Sequence, residues 1–235
     1  MYHVIAAPPP TQYAYLYVTP NRFRKEMQGL QAAGFCAVTL QSAYAIWTGA
    51  AAPPAGCTPL VLRFDDGYTS AFTSAFPLLE QMGWPGSLCQ QVQRVNIPGG
   101  LPSTAIQTML GAGWELLDHG YYNPELSLIG ASPAQISTQV ITSRADLETE
   151  FHTTVDFYCW PLGYYDTGAI TVVKQAGFEG ALGVTSGDAD PAIQGWWRLD
   201  SIPAWGYLSS ASLVARVVAM QKSMPTIPPR NYVPT

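Results

Sequence analysis

The chain has 235 residues, enough for one large α/β domain whose core needs no disulfide or metal to hold it together. Only 11% of the residues are charged and the net charge is −5, whereas about 25% are charged in a typical domain; a nucleic-acid partner would require a basic patch and is not expected. No run of about twenty apolar residues occurs, so we expect no membrane-spanning helix.

Apolar strand-like runs alternate with helical patterns, as in repeated β-α units around a parallel sheet. The simplest architecture is a barrel in one domain over residues 1–224, followed by a Pro-rich tail over 225–235. Thr19-Pro20 opens the first helix, Gly83 caps the second, and Ser132 opens the longest. The predicted strands cover 15–18, 35–40, 60–64, 85–91, 114–117, 157–160, 178–184 and 197–202, and the predicted helices cover 21–33, 69–82, 103–110, 133–151, 168–175 and 209–220.

The four cysteines form no Cys-x-x-Cys pair, which argues against a zinc-thiolate site. Cys36 and Cys159 lie in apolar strand-like runs and are predicted to be small core residues. A disulfide between Cys57 and Cys89 would require an oxidising compartment, and the sequence leaves it open. Low charge with many Pro, Trp and Tyr favours a secreted or cell-surface protein, although the chain opens without a basic, hydrophobic leader.

Two adjacent carboxylates, Asp65 and Asp66, follow the apolar run at 59–62 and precede a Gly-Tyr turn. Burying such a pair costs free energy unless a cation or a shared proton compensates it. Because side chains alternate along a strand, one acid is free to hold a metal while the other accepts a proton. The alternative is that one Asp only caps the helix that begins near Thr69.

Two more segments follow predicted strands, where parallel α/β folds gather their catalytic residues. Residues 118–124 read Asp-His-Gly-Tyr-Tyr-Asn-Pro, and residues 160–164 read Trp-Pro-Leu-Gly-Tyr. Together with the Asp pair they bring acids, an imidazole and aromatic rings to one end of the sheet. This combination predicts a composite active site.

At these segments the chain resembles the polysaccharide deacetylases of carbohydrate esterase family 4, the NodB-homology group. The resemblance rests on Asp-Asp-Gly-Tyr at 65–68, on Asp-His-x-x-x-Asn-Pro-Glu-Leu at 118–126, and on Pro-x-Gly-x-Tyr-Asp at 161–166. The Met-Tyr-His opening and the Thr-Pro-x-x-Phe helix start are similar to the branch that includes biofilm-polysaccharide deacetylases. The resemblance implies a distorted (β/α) barrel of the NodB-homology type.

It also implies metal-dependent hydrolysis of N-acetyl groups on a polysaccharide or oligosaccharide. By this resemblance Asp65 is the general base. The ligands of a divalent metal, usually zinc, correspond to Asp66, His119 and Asn123. The metal would polarise the acetyl carbonyl and activate water, and the Leu162 N–H would help to bind the oxyanion.

Position 123 departs from the family pattern, because the family has a second metal-binding histidine there. An amide oxygen suits zinc less well than an imidazole, and Asn before Pro is also a common turn residue. In one interpretation Asp66, His119 and Asn123 still hold the metal with water. In a second, Asp118 or His3 completes the set of ligands. In a third, metal binding is lost and the chain is a catalytically silent carbohydrate-binding domain.

Other departures concern the charges around the base. Arg63 stands where the family has a small residue, and we expect it to pair with one of the two acids and lower its pKa. The family's base-orienting arginine has no counterpart at 158–160, and its acid histidine has none after Ser209, so the general acid is unassigned. His152 is predicted to be a solvated residue at a helix end, and His3 a core histidine.

Aromatic side chains near the motifs offer stacking surfaces for a sugar. The alternative for each of them is an ordinary place in the core. An esterase or cyclic-amidase reaction at the same site is a further hypothesis, since function depends on the site rather than the fold. The candidate substrate-binding residues are Tyr68, Tyr121, Tyr122, Trp160, Pro161 and Tyr164.

Overall fold

The computed structural model describes residues 1–122, 126–187, 189 and 191–223. Within these residues six parallel strands form one curled sheet, a half-barrel, in which each strand pairs with the next one along the chain. The predicted α/β barrel class is thereby confirmed. Two strands pair separately, β1 (Phe35–Val38) and β2 (Thr58–Val61), and the sheet consists of β3 (Arg63–Phe64), β4 (Ser87–Gln90), β5 (Glu115–Asp118), β6 (Phe157–Cys159), β7 (Gly180–Ser186) and β8 (Leu199–Ser201).

The helix boundaries follow the capping signals in the sequence. Thr19 caps the first helix ahead of Pro20, Ser132 and Gln135 form a reciprocal capping box, and Gly83 ends its helix in a left-handed conformation. Wider helical turns occur at Ala71–Ala75 and at Thr138–Thr142, each directly before a helix. The helices are α1 (Pro20–Ala32), α2 (Leu40–Trp47), α3 (Phe76–Met82), α4 (Ser103–Gly111), α5 (Pro133–Ser137), α6 (Ser143–Phe151), α7 (Thr167–Gln175), α8 (Pro191–Gln194) and α9 (Ser210–Ser223).

Two predicted strands differ from the structure. The strand predicted over 60–64 is divided, because its first half pairs with β1 as β2 while its end pairs with β4 as β3. The strand predicted over 15–18 is replaced by a short helical turn at Ala14–Leu16, and Tyr17 alone forms a bridge, with Val4. The tail predicted over 225–235 lies outside the described residues.

Residues 1–3 lie along the β3 edge of the half-barrel. The Tyr2 N–H donates to the Arg63 carbonyl and the Asp65 N–H donates to the Tyr2 carbonyl, both at 2.8 Å, so this segment runs parallel to β3. On its other side, the Met1 carbonyl accepts a hydrogen bond of 2.9 Å from an N–H just beyond β8. This register brings His3 to the C-terminal end of the sheet, beside Asp65.

Alternation along the strands builds two apolar layers. Leu88 and Leu116 belong to the layer that packs against the helices, whereas Cys89 and Leu117 belong to the barrel interior together with Leu40 of α2. The polar residues of the predicted site follow directly after these apolar positions. No helix in the described part of the chain is long and apolar enough to cross a membrane.

All four cysteines form disulfides, and the pairing differs from the sequence-based expectation. The β1–β2 register places Cys36 opposite Pro59, so Cys57 lies close enough to bond to it. Cys89 of β4 bonds to Cys159 of β6. Cys159 is fully buried in the core, as predicted, but it is bonded to Cys89; Cys36 is only half-buried, so its predicted core position is wrong. The open Cys57–Cys89 pairing does not occur, because each of these cysteines has another partner.

Candidate active site

Asp65 directly follows β3 and is held by the arginine two residues before it. Residues two apart on a strand share a face, so the Arg63 guanidinium lies directly along the carboxylate. Its Nε donates to Oδ1 and its Nη2 donates to Oδ2, both at 2.6 Å. Arg63 Nη1 also donates to the Gly183 carbonyl (3.0 Å) and to Ser201 Oγ (3.1 Å). Both members of this ion pair are buried, and the expectation that Arg63 pairs with one of the two acids is confirmed.

The charge of Asp65 is set by competing effects. Burial raises the pKa of its carboxyl, but the charge of Arg63, followed by those of His119 and His3 and by the Arg63 hydrogen bonds, lowers that pKa to about 2. Asp65 is therefore a carboxylate at neutral pH. Each carboxylate oxygen can accept more than one hydrogen bond, so the pair with Arg63 leaves acceptor capacity on Asp65.

Asp66 points elsewhere because the chain turns sharply after β3. Its φ of 70° and that of Gly67, 77°, are both left-handed. A Cβ at Gly67 would overlap the side chain of Gln90, so only glycine fits there. The turn directs the Asp66 carboxylate to Gln91, whose Nε2 donates to Oδ1 (3.2 Å), and to His119.

His119 follows β5 and faces Asp66. Its Nδ1 bonds to the Cys159 carbonyl at 2.8 Å, and a carbonyl only accepts, so we assign the ring proton to Nδ1. Nε2 lies 3.3 Å from Asp66 Oδ1; it donates to that oxygen when the ring carries a second proton and turns a lone pair toward it when the ring is neutral. Burial raises the pKa of Asp66, but the His119 hydrogen bond and the charges of His3 and His119 outweigh it, so the pKa is below its ordinary value.

Asp118 is engaged away from this pair. Its Oδ1 accepts from the Gly120 N–H (2.8 Å) and its Oδ2 accepts from Ser143 Oγ (2.7 Å). Burial raises its pKa to about 7 in spite of these bonds. Oδ1 thus holds the turn after β5, and Oδ2 joins the end of this strand to Ser143 of α6.

His3 lies near the two carboxylates, Asp65 and Asp66, and is not a buried core residue. It is half-buried, its ring stacks on Trp205 at 6.3 Å, and it lowers the pKa of both Asp65 and Asp66. The prediction that His3 is a core residue is therefore wrong, because its side chain is only half-buried. His152, by contrast, is exposed at the C-terminal end of α6, as predicted.

The segment after β6 contains Leu162, which has an unusual backbone conformation, and Trp160, whose ring lies in the core. Leu162 has a left-handed φ of 57° and is 45% exposed. Trp160 is fully buried, packs against Tyr158 and Tyr165, and donates its Nε1–H to the Trp197 carbonyl. A ring in that position cannot stack on a sugar, so the prediction of Trp160 as a substrate-binding residue is wrong.

The remaining aromatic candidates are at least partly exposed. Tyr68 is half-buried beneath Arg94, whose Cζ lies 3.8 Å from the ring centroid. Tyr121 and Tyr122 are half-buried and meet edge to face, and their N–H groups both donate to Gln139 Oε1. Pro161 is buried, and Tyr164 is 55% exposed.

Gln91 was not anticipated from the sequence, although it ends the strand predicted over 85–91; the observed strand ends one residue earlier, at Gln90, so Gln91 lies at the strand end where site residues are expected. Asn123 lies outside the described residues. Among the residues that the structure does describe, no three His, Cys, Asp or Glu side chains are grouped so as to hold a metal ion. Asp66 and His119 are two side chains whose oxygen and nitrogen atoms, 3.3 Å apart, could both coordinate a metal ion.

Comparisons with known proteins agree on one family. The family model "Polysaccharide deacetylase" matches residues 52–181, more than half of the chain. The YxkH protein of Bacillus subtilis (strain 168) is 23% identical over 207 residues, which is 88% of this chain and 72% of that protein. The Streptococcus pyogenes deacetylase PplD, solved in complex with acetate, has a TM-score of 0.82 at 20% identity, with 92% and 95% of the two chains covered. IcaB from Ammonifex degensii has a TM-score of 0.77 at 17% identity, with 94% and 95% covered. At these identities the two structures show a shared fold.

Proposed function

The chain belongs to the polysaccharide deacetylase family, and we propose that it hydrolyses N-acetyl groups on a polysaccharide or oligosaccharide with the help of a divalent metal, zinc by preference. The observation that carries this proposal is the convergence of His119 Nε2 and Asp66 Oδ1 beside the ionised carboxylate of Asp65. Two donors and a proton acceptor meet where strands β3 and β5 end.

The donor chemistry at this point fits zinc. Carboxylate and imidazole are common zinc ligands, and a ligating histidine usually donates its other ring N–H to a carbonyl or carboxylate, as His119 Nδ1 does to Cys159. We propose Asp66 and His119 as ligands, with Asn123 as the third. A divalent ion bound there supplies Lewis acidity toward the acetyl oxygen and makes water more acidic.

The protein's own groups carry the proton transfers. Asp65 accepts a proton from the attacking water, and Arg63 keeps its carboxylate oriented and ionised. The Leu162 N–H is the proposed donor to the tetrahedral oxyanion, because Leu162 follows the proline of the Pro-x-Gly-x-Tyr-Asp segment at 161–166. His3 is the candidate general acid, because it is the second imidazole within electrostatic reach of both acids.

Sugar binding falls to the rings that remain accessible. Tyr68, Tyr121, Tyr122 and Tyr164 each present part of a ring to solvent, with a hydroxyl able to bond to the glycan. Pro161 fixes the turn before Leu162 and is proposed to shape the same cleft.

A secreted or cell-surface location is proposed for the protein. Disulfides form and persist in oxidising compartments, and all four cysteines are paired here. The acetylated glycans that such an enzyme acts on would be met in the same place.

A catalytically silent carbohydrate-binding domain is the second candidate. It is favoured by the asparagine at position 123, where the family has a metal-binding histidine, and by the low pKa of Asp65, which makes that carboxylate a weak base. Such a domain would bind glycans whether or not a chelator is present.

Acetate release from N-acetylglucosamine oligomers separates the two candidates. We expect turnover that dipicolinate abolishes and that a stoichiometric amount of zinc restores, because the metal supplies the Lewis acidity. Acetylated sugar esters assayed in parallel test the esterase hypothesis. Glycan binding without acetate release, at any zinc concentration, would contradict the deacetylase proposal and support the silent domain.

A further inference from the structure

The disulfide between Cys89 and Cys159 spans a strand. Cys89 lies on β4 and Cys159 on β6, and β5 lies between them. In a flat sheet two strands so placed would be roughly 9.6 Å apart, twice the spacing of neighbouring strands. The two Cα atoms are 6.1 Å apart. The sheet is therefore folded sharply at β5, and the disulfide closes this fold from inside the barrel.

The pairing between β5 and β6 is shorter than that between β4 and β5. β4 and β5 pair along the whole of Ser87–Gln90 and Glu115–Asp118, whereas β5 and β6 are in register at Asp118 and Tyr158. A covalent link from β4 to β6 therefore reinforces a short stretch of strand pairing.

Both half-cystines are next to groups that position the site. The Cys159 carbonyl bonds to His119 Nδ1, and Leu162 follows three residues later. On the other strand Cys89 is followed by Gln90, whose carbonyl accepts from the His119 N–H at 3.0 Å, and by Gln91, which donates to the Asp66 carboxylate. The imidazole of His119 is thus fixed from both sides of the disulfide.

We propose that the Cys89–Cys159 disulfide is the positioning element of this site: it holds β4 and β6 so that His119 Nε2 faces the Asp66 carboxylate, and reduction of the bond turns the site off while the fold persists. The proposal rests on the proposed function for its activity readout. Reduction by a phosphine gives two thiols and a phosphine oxide, and water supplies the oxygen atom and the two protons.

The second disulfide provides a matched control. Cys36–Cys57 joins β1 to the residue before β2, and neither cysteine takes part in the hydrogen bonds that position His119 and Asp66. It is also half-buried, whereas Cys89 and Cys159 have no exposed surface. A graded reductant is therefore expected to open Cys36–Cys57 first.

The test compares the double variants Cys89→Ala/Cys159→Ala and Cys36→Ala/Cys57→Ala with the parent. In chelator-stripped protein labelled with ¹⁵N-histidine, the parent and the control should show His119 protonated at Nδ1, and the Cys89/Cys159 variant should lose this signature. Its kcat for acetate release should fall about 10- to 100-fold with KM within about twofold, because a displacement on the order of 1 Å is enough to disable a catalytic group. The control should keep its kcat.

If the Cys89/Cys159 variant does not fold, the same question is tested by reducing the disulfides of the parent protein. Activity and the His119 signal are followed while a phosphine is titrated in, and alkylation with mass spectrometry reports which disulfide is open. Loss of both signals in step with the opening of Cys89–Cys159 supports the inference. An unchanged His119 signal when the Cys89–Cys159 bond is open overturns the inference, even in protein that releases no acetate. Absence of acetate release by the parent protein bears on the proposed function alone.

Discussion

Replacing Asp65 by asparagine is expected to lower kcat/KM for acetate release by about 100- to 10,000-fold, the range that loss of a general base produces. An amide cannot accept the proton from water. Zinc binding should persist, because Asp66 and His119 face each other independently of the Asp65 carboxylate. Acetate release and calorimetric zinc titration on the same sample measure the two effects. Activity equal to that of the parent would contradict the assignment of Asp65 as the base.

A control is needed because Asp65→Asn also leaves the buried Arg63 cation without its partner. The unpaired charge is expected to cost about 3–5 kcal/mol of stability. In Arg63→Met/Asp65→Asn both charges are gone, and much of that stability should return. Recovery of the melting temperature without recovery of activity would separate the catalytic role of Asp65 from its structural one.

Arg63→Met is expected to lower the free energy of unfolding by about 3–5 kcal/mol, as measured by urea unfolding at pH 7. It strands the Asp65 carboxylate and removes donors to the Gly183 carbonyl and to Ser201. Arg63→Lys keeps the charge but not the two-pronged geometry, so its loss should be intermediate. A methionine variant within about 1 kcal/mol of the parent would show that the pair contributes little.

The pH dependence of stability should change in the same variant. The folded-state pKa of Asp65, about 2, is below its ordinary value of 3.8. A carboxyl shifted in this direction contributes stability that is fully present above about pH 4 and is lost as the pH falls through 2. Removing Arg63 raises that pKa, so the loss of stability between pH 4 and pH 2 should become shallower. An unchanged slope would assign the acid sensitivity to other carboxyls.

The sequence predicted those parts of the site that depend only on which residues follow each strand. Asp65, Asp66 and His119 follow directly after apolar strands, and parallel strands end at the same edge of a sheet, so their proximity follows from the alternation of strands and helices. The sequence predicted that Arg63 pairs with one of the two acids. The structure identifies that acid as Asp65, which is two residues away and therefore on the same face of the chain.

Curvature and register could not be predicted in this way. The bond between Cys89 and Cys159 depends on how sharply the sheet folds at β5, which no local pattern encodes. The position of His3 depends on the pairing of residues 1–3 with β3, a contact between segments about sixty residues apart. Trp160 resembles a sugar-binding ring in sequence, but this residue, directly after β6, places its ring in the core.

The role of Asn123 stays a prediction, because it lies outside the described residues. The question at position 123 is whether an amide oxygen can replace the imidazole nitrogen as a zinc ligand. A neutral amide in place of an imidazole should weaken zinc binding without abolishing it, and Asn123→His should tighten it.

Calorimetric titration of zinc into chelator-stripped protein tests the central claim most directly, because it requires no knowledge of the glycan. We predict one ion per chain with micromolar or tighter affinity, lost in His119→Ala and retained in His152→Ala, which removes the exposed imidazole at the end of α6. Absence of binding in the natural sequence, with binding gained in Asn123→His, would contradict the account and indicate a domain that no longer uses a metal.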